Sequence, residues 1–195
     1  MINKSEILNK RKNLDPSLRL QLSDLIADKI IGMPEYKDSD TVLIYADYNN
    51  EVATDKLICR ALLDSKSVYM PVSNPDYTLD FYRVYAIDEL ISGAYGIREP
   101  LRIEYLKLDK AKISSKCICI TPGSVFDSDC NRMGYGKGFY DRFFAECDIK
   151  NRIGIAFELQ IVPHITVNEH DIPLSAVVTE QNIYRRKQIN TNNGE

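Results

Sequence analysis

Histidine is scarce, with 2 in 195 residues, and neither stands near a C-x-x-C pair, so no structural zinc site is expected. No apolar run approaches the length that a bilayer span needs. The opening stretch MINKSEILNKRKN is charged where a signal peptide would be apolar. Five cysteines make an odd count with no disulfide-framework spacing; Cys117 and Cys119 lie in an apolar run and are expected as buried thiols. A basic excess is missing too. Lys plus Arg is 25 and Asp plus Glu is 28, and 25 − 28 leaves −3. That balance argues against a nucleic-acid coat or a polybasic membrane anchor. A soluble, cytoplasmic protein is expected.

What is present is ordinary globular composition: 44% hydrophobic and 27% charged residues, enough for one domain with a real core. Asn3 and Glu6 resemble a capping box, placing a short helix over about 4–12. Asp15-Pro16 marks a second helix start, with Leu18, Leu22, Leu25 and Ile26 at helical spacing and Gly32 and Pro34 as its stop. TVLIYA (41–46), SVYMP (67–71), DFYRVYAI (80–87), CICIT (117–121), RIGIAF (152–157) and SAVVT (175–179) read as strands. Thr54 reads as the cap of a helix carrying Leu57, Ile58, Ala61 and Leu62. SGAYGIREP (92–100) reads as a loop and residues 137–146 as a helix.

Strands alternating with helices imply an α/β fold with a mostly parallel, mixed central sheet, the 80–87 run pairing antiparallel with a neighbour. Residues 1–183 form the expected domain, and the polar stretch from Tyr184 to Glu195 an expected flexible tail. In such sheets ligands gather at the carboxyl ends of strands. The segment after CICIT is therefore the first place to look.

That segment reads TPGSVFDSDCNRMGYGKGFYDRFF (121–144), with Gly134, Gly136 and Gly138 at alternate positions beside Arg132 and Lys137. Alternating glycines let backbone N–H groups approach an anion, a following helix start adds its positive dipole end, and the two cations suit phosphate oxygens. At about 100° per residue, Phe139, Tyr140, Phe143 and Phe144 share one helical arc and Lys137 and Asp141 the opposite one. A carboxylate beside a bound polyphosphate is suited to Mg²⁺. The spacing is neither GxxxxGK[ST] nor GxGxxG. On the residues alone, a Gly-rich turn with a Lys/Asp surface pair is the plain alternative.

The whole string PGSVFD (122–127) followed by RMGYGKGFYDRFF (132–144) resembles the signature of the 5-formyltetrahydrofolate cyclo-ligases, also called 5,10-methenyltetrahydrofolate synthetases. Phe139 stands where that family usually has Tyr. IYADYNNEVATDKLI (44–58) is similar to its substrate segment, and IGIAFELQIV (153–162) and HDIPLSAVVTE (170–180) to its C-terminal part. The family usually opens on K-x-x-x-R; here Lys4 takes the Arg position, and the preceding Lys has no counterpart.

The resemblance implies a three-layer α/β/α sandwich similar to the sugar-phosphate isomerase and CoA-transferase folds. It also implies ATP-dependent cyclisation of a formylated reduced folate through a phosphorylated formyl oxygen. ATP is then the co-substrate and Mg²⁺ the metal. The expected partners are small molecules, without nucleic acid or membrane, and a monomer is expected over an oligomer, although the sequence itself does not set the oligomeric state.

By the same resemblance Arg132 and Lys137 are catalytic. Lys4, Arg132, Met133, Gly134, Tyr135, Gly136, Lys137, Gly138, Phe139 and Tyr140 contact ATP. Ala46, Glu51, Tyr135, Gly136, Lys137, Gly138 and Phe139 contact folate, and Asp141 and Asp171 hold the metal. Asp127 is read as a brace for the loop. Two rivals stay open at the level of sequence: a sugar-phosphate isomerase, and a protein that binds nucleotide or folate without turnover.

Overall fold

The computed structural model describes residues 3–93 and 96–187. Helix α1 (Lys4–Lys12) begins where the Asn3 side chain accepts a hydrogen bond from the Glu6 N–H. Helix α2 (Pro16–Gly32) begins at Asp15, whose carboxylate accepts from the Ser17 and Leu18 N–H groups at 2.9 and 3.0 Å. Such a cap stabilises a helix by about 1 kcal/mol. A one-turn helix α3 (Pro34–Lys37) follows. The buried side of α2 carries Ser23, Ile26, Ala27 and Ile30. Leu18 and Leu25 are exposed, which corrects the expected leucine stripe: of its four residues only Ile26 is fully buried, and Leu22 packs at the margin.

The main sheet runs β12-β11-β9-β6-β1-β2-β3 in space. Its strands are β1 (Thr41–Ile44), β2 (Ser67–Ser73), β3 (Leu79–Val84), β6 (Cys117–Thr121), β9 (Asn151–Ile155), β11 (Ala176–Val178) and β12 (Ile183–Arg185). The inner strands are mutually parallel, and β3 and β12 are antiparallel edges. β2 continues through Pro71 to Ser73, past the expected stop. Its pairing with β1 ends at Tyr69, so Pro71 has a strand partner on one side only and a missing N–H is tolerated there.

Alternation along the strands builds two cores. Val42, Ile44, Ile118, Ile120 and Val178 meet α2, α3 and α4 (Asp55–Leu63) on one face. Leu43, Cys117, Cys119 and Val177 meet Phe143 and Phe144 of α5 (Phe139–Glu146) on the other. The result is the expected three-layer sandwich with a mostly parallel centre. The thiols of Cys117, Cys119, Cys130 and Cys147 are buried, and burial pushes that of Cys117 up to about 12; only Cys59 is exposed.

Two local expectations are corrected and a third holds only in part. Thr54 caps α4 without a side-chain bond; its hydroxyl instead donates to the Tyr45 carbonyl at 2.9 Å, tying the helix start to the end of β1. The expected 92–100 loop is a short hairpin of β4 (Ile91–Ser92) and β5 (Arg98–Glu99); Ala94 and Tyr95 lie outside the described residues. The expected tail is ordered at its start: Tyr184 lies opposite Val177, and its hydroxyl donates to Glu158. A three-residue edge strand with one inward side chain is too short to show a periodicity. The rest of that tail, 188–195, lies outside the described residues.

Candidate active site

β1, β2 and β6 run in the same direction, and the chain opens a cavity of about 590 Å³ beyond their ends. Its floor holds Tyr45 and Ala46 after β1, Pro71 and Ser73 at the end of β2, and Pro122 and Gly123 after β6. Every candidate named from the sequence reaches the wall: Lys4, Ala46, Glu51, the run 132–141 and Asp171.

The run 132–141 is carried by a second small sheet that the sequence did not reveal. β7 (Val125–Asp127) pairs with β8 (Arg132–Met133) and with β10 (Ile161–Val162). Asp127 braces its turn, as expected, accepting from the N–H groups of Asp129, Asn131 and Ile165 and from the Asn131 amide. β8 therefore delivers Arg132 to the cavity at a fixed position. After it, Gly136 and Gly138 adopt φ of +89° and +65°, conformations that residues with a Cβ rarely hold.

Those two reversals delay the helix. α5 begins at Phe139, not at 137, with left-handed Gly138 as its cap. The expected shared face of Lys137 and Asp141 is therefore corrected: Lys137 precedes the helix, and its ammonium lies 4.9 Å from the centroid of the Tyr77 ring. Gly138 has no side chain with which to cap, so the first-turn N–H groups are left for a ligand or water.

Asp141 pairs instead with Arg132, Oδ2 to Nη2 at 3.0 Å, and Oδ1 accepts from the Ile172 N–H at 3.3 Å. The second bond carries the neighbouring Asp171 to the same wall. Asp171 in turn accepts from the backbone and side chain of Asn168. Asp141 and Asp171 line one cavity, a donor set suited to Mg²⁺, which takes one or two carboxylates and fills its shell with phosphate and water oxygens. Among the described residues, no group of three or more His, Cys, Asp or Glu gathers to hold a metal alone.

Lys4 donates to the Gly134 carbonyl and stands 5.8 Å from the centroid of the Tyr135 ring, so its charge reaches the glycine loop. Tyr135 is half exposed, while Phe139 meets Tyr77 edge-on at 5.9 Å. Tyr140 is buried, with the Arg132 guanidinium 5.5 Å from its ring centroid. Both histidines are exposed, and neither lines the cavity.

Across the cavity, Glu51 is only 6% exposed. Its Oε2 accepts from the Tyr48 N–H at 3.1 Å, and its Oε1 lies 3.4 Å from the Tyr135 hydroxyl. Burial pushes its carboxyl up to about 7, against the pull of Arg11 and the Tyr48 N–H. The native state then holds a proton that an unfolded chain releases at lower pH, so this group lowers stability as pH rises from about 4.5 to about 7. Glu51→Gln is expected to unfold at higher denaturant than wild type, the gap widening by up to roughly 3 kcal/mol between pH 5 and pH 8. Parallel pH profiles of the two proteins would remove that assignment.

Three residues on or behind the wall were missed in the sequence. Arg11, 1% exposed, donates to the Tyr135 hydroxyl and to the Gly123 and Asn49 carbonyls. A charged helix residue followed by no motif gave no sign of burial. Arg98 lines the cavity and bridges Asp47 and Asp55 at 3.2 and 2.6 Å. Asn168 lines it from the loop before Asp171.

A family model described as the 5-formyltetrahydrofolate cyclo-ligase family matches residues 3–180. The 5-formyltetrahydrofolate cyclo-ligase of Escherichia coli K12 is 31% identical over 185 residues, covering 91% of this chain and 98% of the relative. The enzyme of that name from Mus musculus is 26% identical, covering 91% of each chain. The solved 5,10-methenyltetrahydrofolate synthetase of Aquifex aeolicus superposes with a TM-score of 0.80 at 28% identity, covering 98% of this chain and 97% of its own. The solved synthetase of Mycoplasma pneumoniae, 20% identical with a TM-score of 0.71, shares the fold; it covers 92% of this chain and 99% of its own. The glycine loop, the carboxylate pair and the buried glutamate thus sit in a chain that belongs to the 5-formyltetrahydrofolate cyclo-ligase family.

Proposed function

We propose that this chain closes 5-formyltetrahydrofolate to 5,10-methenyltetrahydrofolate, consuming ATP and releasing ADP and phosphate. The observation that carries this reading is that a phosphate-suited loop and a buried carboxylate share one cavity and touch through Tyr135. The pterin head offers an amino group and a ring N–H, and Glu51 offers acceptors. Tyr135, Phe139 and Ala46 supply wall for a flat ring system.

An amide-like formyl oxygen is a poor leaving group. In the proposed path that oxygen attacks the γ-phosphorus and ADP departs. N10 then adds to the activated carbon and loses its proton, and phosphate leaves with the former formyl oxygen. The protein's part is to align the γ-phosphoryl group with the oxygen and to match the charge that moves. Lys137, Lys4 and the amides of 134–138 face that task, with Arg132 held in place by Asp141. Asp141 and Asp171 would hold Mg²⁺, which when bound neutralises phosphate charge. Free cysteines support a reducing, cytoplasmic setting. No helix among the described residues is long and apolar enough to cross a membrane.

The direct test follows ATP- and Mg²⁺-dependent growth of methenyl-folate absorbance from 5-formyltetrahydrofolate. Saturable folate binding without turnover would reject the enzyme. In the same assay, Glu51→Gln is expected to raise the folate KM about tenfold, because two acceptors become one. The ATP KM should stay within about twofold, since Glu51 faces the pterin side of the cavity. An unchanged folate KM would take Glu51 out of the site.

A further inference from the structure

Arg11 is a cation buried without a carboxylate in direct contact. Its acceptors are two backbone carbonyls, of Gly123 and Asn49 at 3.2 and 3.1 Å, and the Tyr135 hydroxyl at 2.9 Å. Among the described residues it forms no ion pair, and its buried Nε has no partner. Burying a guanidinium this way is costly, and a hydrophobic residue would fill the space at less expense. The carbonyls it holds belong to the loops after β1 and β6, and the hydroxyl to the glycine loop. Three walls of the cavity therefore meet at one side chain that does not itself line it.

Donor and acceptor rules give this meeting a direction. Arginine only donates, so the Tyr135 oxygen must accept from it. The hydroxyl proton is then free to point at Glu51 Oε1, 3.4 Å away. Oε2 already accepts from the Tyr48 N–H. Both carboxylate oxygens face donors, and their remaining lone pairs are left for the cavity. We propose that Arg11 is a positioning residue which, through the Tyr135 hydroxyl, keeps Glu51 a pure hydrogen-bond acceptor toward a bound pterin. This rests on the reading of Glu51 as a folate contact.

The charges around Glu51 leave Arg11 as its main cationic support. Arg11 comes from α1, Asp47 and Tyr45 from the segment after β1, Tyr135 from the glycine loop, and Tyr140 from α5. Arg19 of α2 reaches only the Glu51 backbone carbonyl, at 2.8 Å, and is matched by Asp47 at 3.3 Å. Arg11 and the Tyr135 hydroxyl favour the ionised carboxyl, while burial and Asp47 oppose it. Removing Arg11 should therefore raise the pH above which folate binds well.

The test is the dissociation constant of 5-formyltetrahydrofolate, measured by calorimetry from pH 5.5 to pH 9 without nucleotide. In Arg11→Met the acid-side midpoint is expected to move up by about one pH unit. Binding would be roughly tenfold weaker at pH 7 and return to within about twofold of wild type at pH 9. Arg11→Lys, which keeps the charge, should recover most of the shift. Tyr135→Phe should move the midpoint the same way, and the double variant no further than Arg11→Met.

A folded Arg11→Met protein with an unmoved midpoint, or with a loss equal at every pH, overturns the proposal. If Arg11→Met fails to fold, Tyr135→Phe decides, and an unmoved midpoint there overturns it equally. Glu51→Gln separates the two ideas. If Glu51→Gln binds folate as wild type does, the folate contact itself is wrong. If it binds weakly while the Arg11 and Tyr135 variants keep the wild-type midpoint, only the role of Arg11 is lost.

Discussion

Lys137→Ala is expected to fold like the wild type and to turn over at least about a hundredfold more slowly. The first half follows from exposure. Lys137 is a surface residue whose ammonium rests against the Tyr77 ring, and it has no ion pair among the described residues. An exposed cation–π contact contributes only about 0.5–1 kcal/mol. The second half follows from charge. The Arg132 guanidinium is matched by Asp141, so the uncompensated positive charge of the loop rests on Lys137, and Lys4 adds a second charge at the Gly134 carbonyl. A γ-phosphoryl group in transit needs such a charge, and a flexible ammonium lying against an aromatic ring is free to swing to it. Thermal unfolding and kcat measured together check both halves. A kcat within threefold of wild type would remove Lys137 from the mechanism.

Asp141→Asn should damage both stability and turnover. Arg132 has only 7% of its side chain exposed and would lose its carboxylate. Leaving a nearly buried cation unpaired costs about 3 kcal/mol, or roughly 5–10 °C in Tm for a chain of this size. The Ile172 N–H that Oδ1 accepts can still bond an amide oxygen, so the loop carrying Asp171 should stay in place. In turnover the same variant should need about tenfold more Mg²⁺ for half-maximal rate, because a proposed metal ligand loses its charge. Differential scanning calorimetry and a Mg²⁺ titration of the rate are the measurements. An unchanged metal requirement would leave Asp141 as a partner for Arg132 alone.

How far each feature could be seen in the sequence depended on the range of the interactions behind it. The starts of α1 and α2 were legible because a cap acts over three residues and leaves its signature in place. The central strands were legible because sheets buried on both faces demand apolar runs such as CICIT. The start of α5 was not, because two glycines with positive φ make a reversal that composition alone does not date to a residue. That error moved Lys137 onto a helix face it does not occupy. The small sheet of β7, β8 and β10 escaped because two- and three-residue strands have no period to detect. Arg11 escaped for a different reason. Its partners are more than thirty residues away or further, and nothing local distinguishes a buried arginine from its solvated neighbours Lys10 and Lys12. Glu51 was found by family likeness, yet its burial and its link to Tyr135 became visible only in three dimensions.

The placement of α1 bears on how the protein should be handled. Lys4 reaches the cavity wall, and Arg11 holds the loops behind it. A bulky label attached to α1 would sit on the same nine-residue helix as both contacts. Such a label is expected to obstruct ligands or draw the helix away while leaving the sheet intact. A label on β12, an edge strand with no residue on the wall, is the safer choice for any measurement of ligand affinity.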